Sequence, residues 1–455
     1  MHFLIVGRSD AGIAAGLRAH ELDPTCEITL VLADEYPNYS ICGLPFFLSG
    51  ETPDWHSLAH RTEFPGIRLM PNHTAESIDP IGKSVVVRNG SGVQLELRYD
   101  KLLIGTGARP VRPNIEGFYL PGVFPLHTME DSFAVHRFLE EQQPKSAIIV
   151  GAGYIGLEMA DALTHRGIRV TIASRTETVL ATVDPVYGRL VEAELQRHGV
   201  EVWNQVEVTS IQSLDSQLSV LGTQNFSRTA DLVLVAVGVQ PNSDLGAAAG
   251  ILTGTKGALR VNRRMETNLA DVYAAGDCVE TWHRLLNRYA YLPLGTTAHK
   301  QGRTAAENAI GNNREFAGSL GTQVVKLFDL VAARTGLRDH EARRAGFDSF
   351  TAQTTVWDHK AYYPGARELH LRITGDRTTG CLLGAQLLGH KDSEVSKRAD
   401  IFASALYHNM RVEELNDLDL SYTPPLSSPW DPVQMSAQYW ANAVRKESPV
   451  VVPSA

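Results

Sequence analysis

Ala147-Ile148-Ile149-Val150-Gly151-Ala152-Gly153-Tyr154-Ile155-Gly156 is an apolar strand pattern running into three glycines, and the helix-forming stretch Leu157-Glu158-Met159-Ala160 follows. Strand, glycine-rich turn and helix in that order form the dinucleotide fingerprint of a βαβ unit. The first glycine permits the tight turn, the second lets a pyrophosphate approach the backbone, and the third lets helix and strand pack closely. The helix then presents unpaired N–H groups to the phosphates. The next apolar stretch, Arg169-Val170-Thr171-Ile172, ends in Ala173-Ser174-Arg175. A carboxylate at that strand end would mark NAD. A hydroxyl and a guanidinium suit a 2′-phosphate, so the unit leans to NADPH, with NADH still open and an ordinary exposed arginine as the alternative reading of Arg175.

The chain opens with a weaker copy of the same pattern. Phe3-Leu4-Ile5-Val6 runs into Gly7-Arg8-Ser9-Asp10-Ala11-Gly12, with Ser9 in place of the middle glycine. A plain glycine-rich turn is the competing reading. The second strand, Ile28-Thr29-Leu30-Val31-Leu32, ends before Asp34 and Glu35, where an acid would accept ribose hydroxyls. Further apolar strands end in Gly105-Thr106-Gly107, at Gly238 and in Gly276-Asp277. Thr106 and Gly107 bring backbone close to a ligand, and Asp277 is placed to reach a polyol hydroxyl. Leu292-Pro293-Leu294-Gly295-Thr296-Thr297-Ala298 then leads into an expected helix over 299–309, whose N-terminus faces an anionic or electron-rich group. Two such units imply two nucleotides. From about Thr322 short apolar strands alternate with helices and no third nucleotide motif occurs, which suggests an α+β domain that packs on a partner subunit.

At 455 residues the chain has room for about three domains. A net charge of −9 without a basic stripe argues against a nucleic-acid partner. The four cysteines, Cys26, Cys42, Cys278 and Cys381, show neither a disulfide framework nor metal-ligand spacing, so no metal is expected. No apolar run reaches the roughly 18 residues of a membrane span, and no signal-like segment opens the sequence. The cytoplasm, where thiols stay reduced, is the expected location, with no membrane partner. Cys42 lies in Asn38-Tyr39-Ser40-Ile41-Cys42-Gly43-Leu44-Pro45-Phe46, just past the first nucleotide unit. A lone cysteine reads equally as a small buried hydrophobe or as a redox thiol. The two flanking nucleotide units favour the thiol.

Taken in order, Gly7…Gly12, Cys42-Gly43, Gly105-Thr106-Gly107, Gly151-x-Gly153-x-x-Gly156, Ala275-Gly276-Asp277 and Pro293-Leu294-Gly295 resemble the flavin-dependent pyridine nucleotide–disulfide oxidoreductases. Pro37 and Phe47 occupy the positions five residues either side of Cys42, so the CxxxxC pair of glutathione and lipoamide reductases is absent. The resemblance is to the single-cysteine branch: coenzyme A disulfide reductases, persulfide reductases, NADH oxidases and NADH peroxidases. It implies an α/β fold with two Rossmann-like dinucleotide-binding domains and an α+β C-terminal dimerisation domain. FAD would occupy residues 1–112 with 246–318, NAD(P)H residues 113–245, and the dimer interface residues 319–455. The implied cofactor set is Gly7, Ser9, Gly12, Asp34, Thr106, Gly107, Asp277, Gly295, Thr296 and Ala298 for FAD. For the nicotinamide nucleotide it is Gly151, Gly153, Tyr154, Ile155, Gly156, Glu158, Ser174, Arg175 and Gly238, with Tyr154 and Glu158 at the nicotinamide entrance.

Cys42 would be the redox thiolate, favoured by the flavin and neighbouring helix dipoles. It would attack a coenzyme A disulfide, persulfide or polysulfide in a homodimer. Tyr362, Tyr363 and Tyr422 resemble the branch's interface tyrosines and would either protonate the leaving thiolate or simply pack. Arg18, Arg61, Lys300 and Arg303 are a thin cationic set for coenzyme A phosphates. Two departures stand out. Asp10 occupies the position where peroxidases carry histidine, which argues against oxygen or peroxide reduction through a Cys42 sulfenate; a turn or helix-cap role for Asp10 is the alternative. Leu32 occupies the usual place of the ribose acid, so Asp34 or Glu35 would substitute. A flavin protein that passes electrons to a protein partner, or senses redox state, is the third reading.

Overall fold

The computed structural model describes residues 1–447. The first fingerprint strand, His2–Val6, is central in a five-stranded parallel sheet ordered Val272–Ala274, Lys101–Ile104, His2–Val6, Glu27–Val31, Ile67–Met70. The second, Ser146–Val150, is central in a matching parallel sheet ordered Glu201–Trp203, Arg169–Ala173, Ser146–Val150, Leu232–Val235, Val123–Pro125. All five residues of Ser146–Val150 are buried, as a strand covered on both faces requires. In both sheets the fingerprint strand has one neighbour that follows it through the fingerprint helix and one that comes much later. Its carboxyl end is therefore the topological switch point, where open α/β sheets bind ligands.

Asp10–Leu22 and Tyr154–His165 are the fingerprint helices. The helix expected over 299–309 begins one turn earlier, at Gly295. Leu294 caps it in an extended conformation, and its carbonyl accepts the N–H groups of Thr297 and Ala298. Glycine and threonine are weak helix formers, but an N-terminal turn tolerates them. Chain crosses between the two units on a short antiparallel ribbon, Ala108–Pro110 with Val239–Pro241, so Pro110 lies in a crossover strand at the expected linker.

The C-terminal part is a five-stranded antiparallel sheet ordered Gln323–Leu327, Leu330–Gly336, Leu382–His390, Glu368–Asp376, Ser349–Trp357. Helices Val395–Tyr407 and Pro432–Glu447 pack on it around Phe402 and Trp440. A set of side chains fastens this sheet to the second nucleotide unit. Arg334 donates to the Thr182 carbonyl (2.7 Å) and Arg338 to those of Ala181 (2.8 Å) and Val183 (3.1 Å). Arg372 (3.0 Å) and Gln386 (2.9 Å) both donate to the Asp184 carboxylate. Among the described residues no helix is long and apolar enough to cross a membrane.

Candidate redox site

Both glycine turns are built on the same steric plan. Gly7, at φ +139°, lies so close to the neighbouring strand end that an added Cβ would sit 2.0 Å from the Gly105 carbonyl oxygen. A Cβ on Gly12 would sit 2.1 Å from the Gly7 carbonyl oxygen. Gly151 repeats the first contact with Ala236 (2.4 Å), and Gly156 the second with Gly151 (2.1 Å). Around Gly153 and Gly107, by contrast, no atom lies within 4 Å of an added Cβ. The turns are crowded below and open above, which fits a pyrophosphate lying on the backbone. Ser9 and Gly153 are the two helix caps, with closely similar extended backbones (φ −99°, ψ −163° and φ −81°, ψ −171°). The missing middle glycine therefore leaves the first turn's shape intact.

Cys42 occupies the short 3-10 turn Ile41–Gly43, which leads into the helix Leu44–Ser49. That helix packs Leu44 and Leu48 into the core shared with Leu157 and Ala160 of the second fingerprint helix. Cys42 is thus carried by the first unit and braced by the second. Its tip is exposed, whereas Cys26 and Cys278 are buried in the first unit's core. All four cysteines are free.

The protein groups around the thiol work against its ionisation. Desolvation by surrounding protein pushes the Cys42 thiol up, and the carboxylates of Glu158, Asp10 and Asp277 raise it further. Glu158 itself is pushed up to about 7, by burial first and Asp161 second, with Lys326 opposing. Lys326 is pinned 3.0 Å from Asp161. Burial pushes Asp277 up to about 6 and Asp10 adds to it, while the Leu294 N–H works the other way. A buried carboxyl with so little compensation is a good acceptor for a ligand hydroxyl. Nearby, the Tyr291 hydroxyl is buried without a partner among the described residues, and the Asp277 charge acts on it. The donor and acceptor set on the first unit therefore fits a flavin dinucleotide.

Asp10, noted in the sequence only as a departure, is central. It is the first residue of Asp10–Leu22, and its Oδ2 lies 3.0 Å from where a Cβ on Gly295 would be. The two helices touch again where Gly302 meets the Ala11 backbone. The Asp10 charge thus acts on Cys42, Asp277 and His299 at once. No motif spacing marks it; only the crossing of two helices distant in sequence creates this position.

Other expected residues are more engaged than the sequence suggests. Asp34 is 2.6 Å from Arg8 and accepts the Tyr36 N–H, so a ribose hydroxyl would share an occupied carboxylate. Glu35 accepts the Tyr36 hydroxyl. Thr106 donates to the Asn242 carbonyl (2.6 Å) at the crossover. Gly295 and Thr296 are exposed at the start of their helix while Ala298 is buried. Tyr154 donates to Gln323 of the C-terminal sheet (2.7 Å), which ties the second fingerprint helix to that domain. Ser174 is buried against Thr176, but Arg175 is 70% exposed and 3.9 Å from Glu207, loose enough to turn to a phosphate. Ile155 and Gly238 flank the second turn, Gly238 at φ +108° with open space beyond.

Arg18 is held by Glu307 (2.8 Å) and Glu21 (2.9 Å), and Arg303 lies 3.9 Å from Glu21. Lys300 is exposed on the Arg303 helix, and Arg61 is exposed on a loop that returns at Gly66 against His20. The tyrosines lie on the exposed face of the C-terminal domain. The Tyr422 phenol is raised by partial desolvation first and by the neighbouring Tyr362 second. Tyr363 instead packs edge-on against His359. Among the described residues no group of side chains is arranged to hold a metal.

Residues 1–302 match the family model described as pyridine nucleotide-disulphide oxidoreductase, and residues 322–432 match the dimerisation domain of the same family. The chain belongs to that family. The oxidoreductase is 33% identical to the NAD(P)H sulfur oxidoreductase (CoA-dependent) of Pyrococcus furiosus, over 96% of this chain and 98% of that protein. It is 30% identical to the coenzyme A disulfide reductase of Staphylococcus haemolyticus, over 95% and 97% of the two chains. Among solved structures, the NAD-dependent persulfide reductase of A. fulgidus superposes with a TM-score of 0.94 at 33% identity, covering 98% of this chain and 84% of that one. Family membership makes the chain an enzyme of pyridine nucleotide redox chemistry, in keeping with the two glycine turns and the exposed Cys42.

Proposed function

We propose that this oxidoreductase reduces a small disulfide, persulfide or polysulfide with NADPH, through Cys42 alone, and that coenzyme A is the thiol carrier. The observation that carries this reading is the position of Cys42. It is an exposed thiol on the turn between the two nucleotide units, while Cys26 and Cys278 are buried elsewhere. Without a second thiol to resolve it, Cys42 exchanges with sulfur from outside. The relatives named for coenzyme A and persulfide chemistry support the same acceptor class.

Residues 1–112 with 246–318 would hold FAD through the Gly7–Gly12 turn, Thr106, Gly107, Asp277 and the Gly295 helix. Residues 113–245 would hold the nicotinamide nucleotide through Gly151, Gly153 and Gly156, with Arg175 on the 2′-phosphate. Bound FAD supplies the relay of two electrons from NADPH to the sulfur. The chain's own part is thiol exchange. Cys42 as thiolate attacks the substrate S–S bond, forms a mixed disulfide and expels the first thiolate. The Tyr362–Tyr422 pair of the other subunit of a dimer protonates that leaving group. Two electrons then break the mixed disulfide and release the second thiol, so NADPH, a proton and RSSR yield NADP⁺ and two thiols. Glu158, whose charge acts on Cys42, would hold or return a proton near neutrality. Asp10 is a poor setting for a sulfenate, which needs a cation or neutral donor.

The test is turnover of wild type, Cys42→Ser and Arg175→Ala with NADPH or NADH against coenzyme A disulfide, a persulfide and O₂. Cys42→Ser is expected to lose all disulfide and persulfide reduction. Arg175→Ala is expected to raise KM for NADPH roughly tenfold and to leave NADH little changed. Undiminished disulfide turnover by Cys42→Ser would remove the mechanism.

A further inference from the structure

Two loops of the C-terminal domain carry the tyrosine pair, and both rest on one buried guanidinium. The first loop joins strands Ser349–Trp357 and Glu368–Asp376 and holds Tyr362. The second precedes the helix Pro432–Glu447 and holds Tyr422. At their tips the two phenols are close enough to influence each other, yet Tyr362 is 73% and Tyr422 46% exposed, so the tips bury little to hold themselves in place. Order enters from below. The Lys360 N–H donates to the Pro424 carbonyl (3.3 Å), joining the loops directly.

Arg398, on the helix Val395–Tyr407 and only 5% exposed, lies under both loops. Its guanidinium donates to the carbonyls of Asp358 (2.7 Å) in the first loop, Leu426 (3.4 Å) in the second, and Ser393. The Asp358 carboxylate closes the first loop by accepting Ser393 Oγ (2.6 Å), the His359 N–H (2.8 Å) and the Arg367 N–H (3.0 Å). Ser427 closes the second by donating to Asp431 (2.8 Å), whose carboxylate lies 3.9 Å from Arg398. A planar fork can reach three carbonyls at fixed angles; the single ammonium of lysine cannot. Beside the direct Lys360–Pro424 bond, this one side chain ties both loop bases together, and the separation of the two phenols follows from where those bases sit.

We propose that Arg398 is a positioning residue for the Tyr362–Tyr422 acid pair, fixing the two loops so that a phenol proton reaches the departing thiolate. This rests on the reading of that pair as the acid. The readout is leaving-group dependence. An alkyl thiolate must be protonated as it leaves, whereas an aromatic thiolate such as thionitrobenzoate leaves unprotonated. For the flavin-loaded dimer, Arg398→Lys is expected to lower kcat/KM about tenfold or more on coenzyme A disulfide, within the usual span of general acid catalysis. On the mixed disulfide of coenzyme A and thionitrobenzoate it is expected to stay within about twofold, and flavin reduction by NADPH is expected to be unchanged. Arg398→Lys/Tyr422→Phe is expected to be no slower than Tyr422→Phe, because both act through one pair. Ser427→Ala, which disturbs the clamp less, is expected to show the same substrate pattern with a smaller loss, and it decides the matter if Arg398→Lys yields no flavin-loaded dimer. Equal losses on both disulfides, no loss on either, or additive losses in the double variant would overturn the positioning role. Full turnover of coenzyme A disulfide by Tyr422→Phe would instead overturn the acid reading of the tyrosines.

Discussion

Glu158 is the residue whose chemistry the sequence conceals most. In the sequence it is an acid two positions past the fingerprint; in the structure it is a carboxyl pushed up to about 7 whose charge acts on Cys42. Its ordinary value is 4.5, so the folded state binds its proton more tightly than the unfolded chain does. Stability from this group is full below about 4.5 and is lost as pH rises towards about 7. Glu158→Gln is expected to flatten the fall in thermal midpoint across that window, by a difference on the order of 2–3 kcal/mol at the upper end. Scanning calorimetry of both proteins at pH 4.5, 6 and 7.5 checks it; parallel curves would contradict it. The residue-level parts of the site that were legible were those with a local pattern, Cys42 and the glycines. Asp10 was legible only as a mismatch, because its role depends on a helix that lies far along the chain.

The elements were legible wherever local pattern and tertiary demand agree. Both fingerprint strands and helices lie where the glycines place them, since the first and last glycine of each turn is required by a backbone contact in its own unit. The helix at Gly295 began earlier than composition suggests, because an N-terminal turn capped by Leu294 and supported by Ala11 tolerates residues that an isolated helix would not. The same geometry separates two kinds of glycine. A Cβ on Gly302 would lie 2.1 Å from the Ala11 carbonyl, and backbone cannot give way easily. Gly302→Ala is therefore expected to cost about 1–3 kcal/mol and to release flavin, because it pushes apart the helices that present Asp10 and Gly295. Gly153→Ala meets nothing in the protein and is expected to fold with stability changed by less than about 0.5 kcal/mol. Its methyl occupies ligand space, so KM for NADPH is expected to rise roughly tenfold while flavin content is unchanged. Denaturant melts, flavin absorbance and steady-state kinetics distinguish the two.

At the scale of the whole molecule, the second nucleotide unit is fastened to the C-terminal sheet by arginines that grip the backbone of 181–183. Burial raises Glu341, but the Arg338 hydrogen bond and the Arg334 charge outweigh it and hold the carboxyl at about 2. Arg338→Ala is expected to cost about 1–3 kcal/mol and to speed amide exchange around 181–184, leaving exchange in the His2–Val6 strand unchanged. Uniform acceleration across both sheets would show that the fastening is not local. None of these grips was legible in the sequence, because an arginine's choice of carbonyl depends on how domains dock and not on local pattern. The first sheet has a consequence of another kind. Its edge strand Val272–Ala274 pairs beside Lys101–Ile104, although the entire second unit lies between them in the chain. On the ribosome the inserted unit is complete, with all five of its strands available, while the first is still missing an edge and the Asp277 turn. The nicotinamide unit is therefore expected to be able to form on the nascent chain before the first unit can retain flavin, which needs the edge strand Val272–Ala274 and the Gly295 helix.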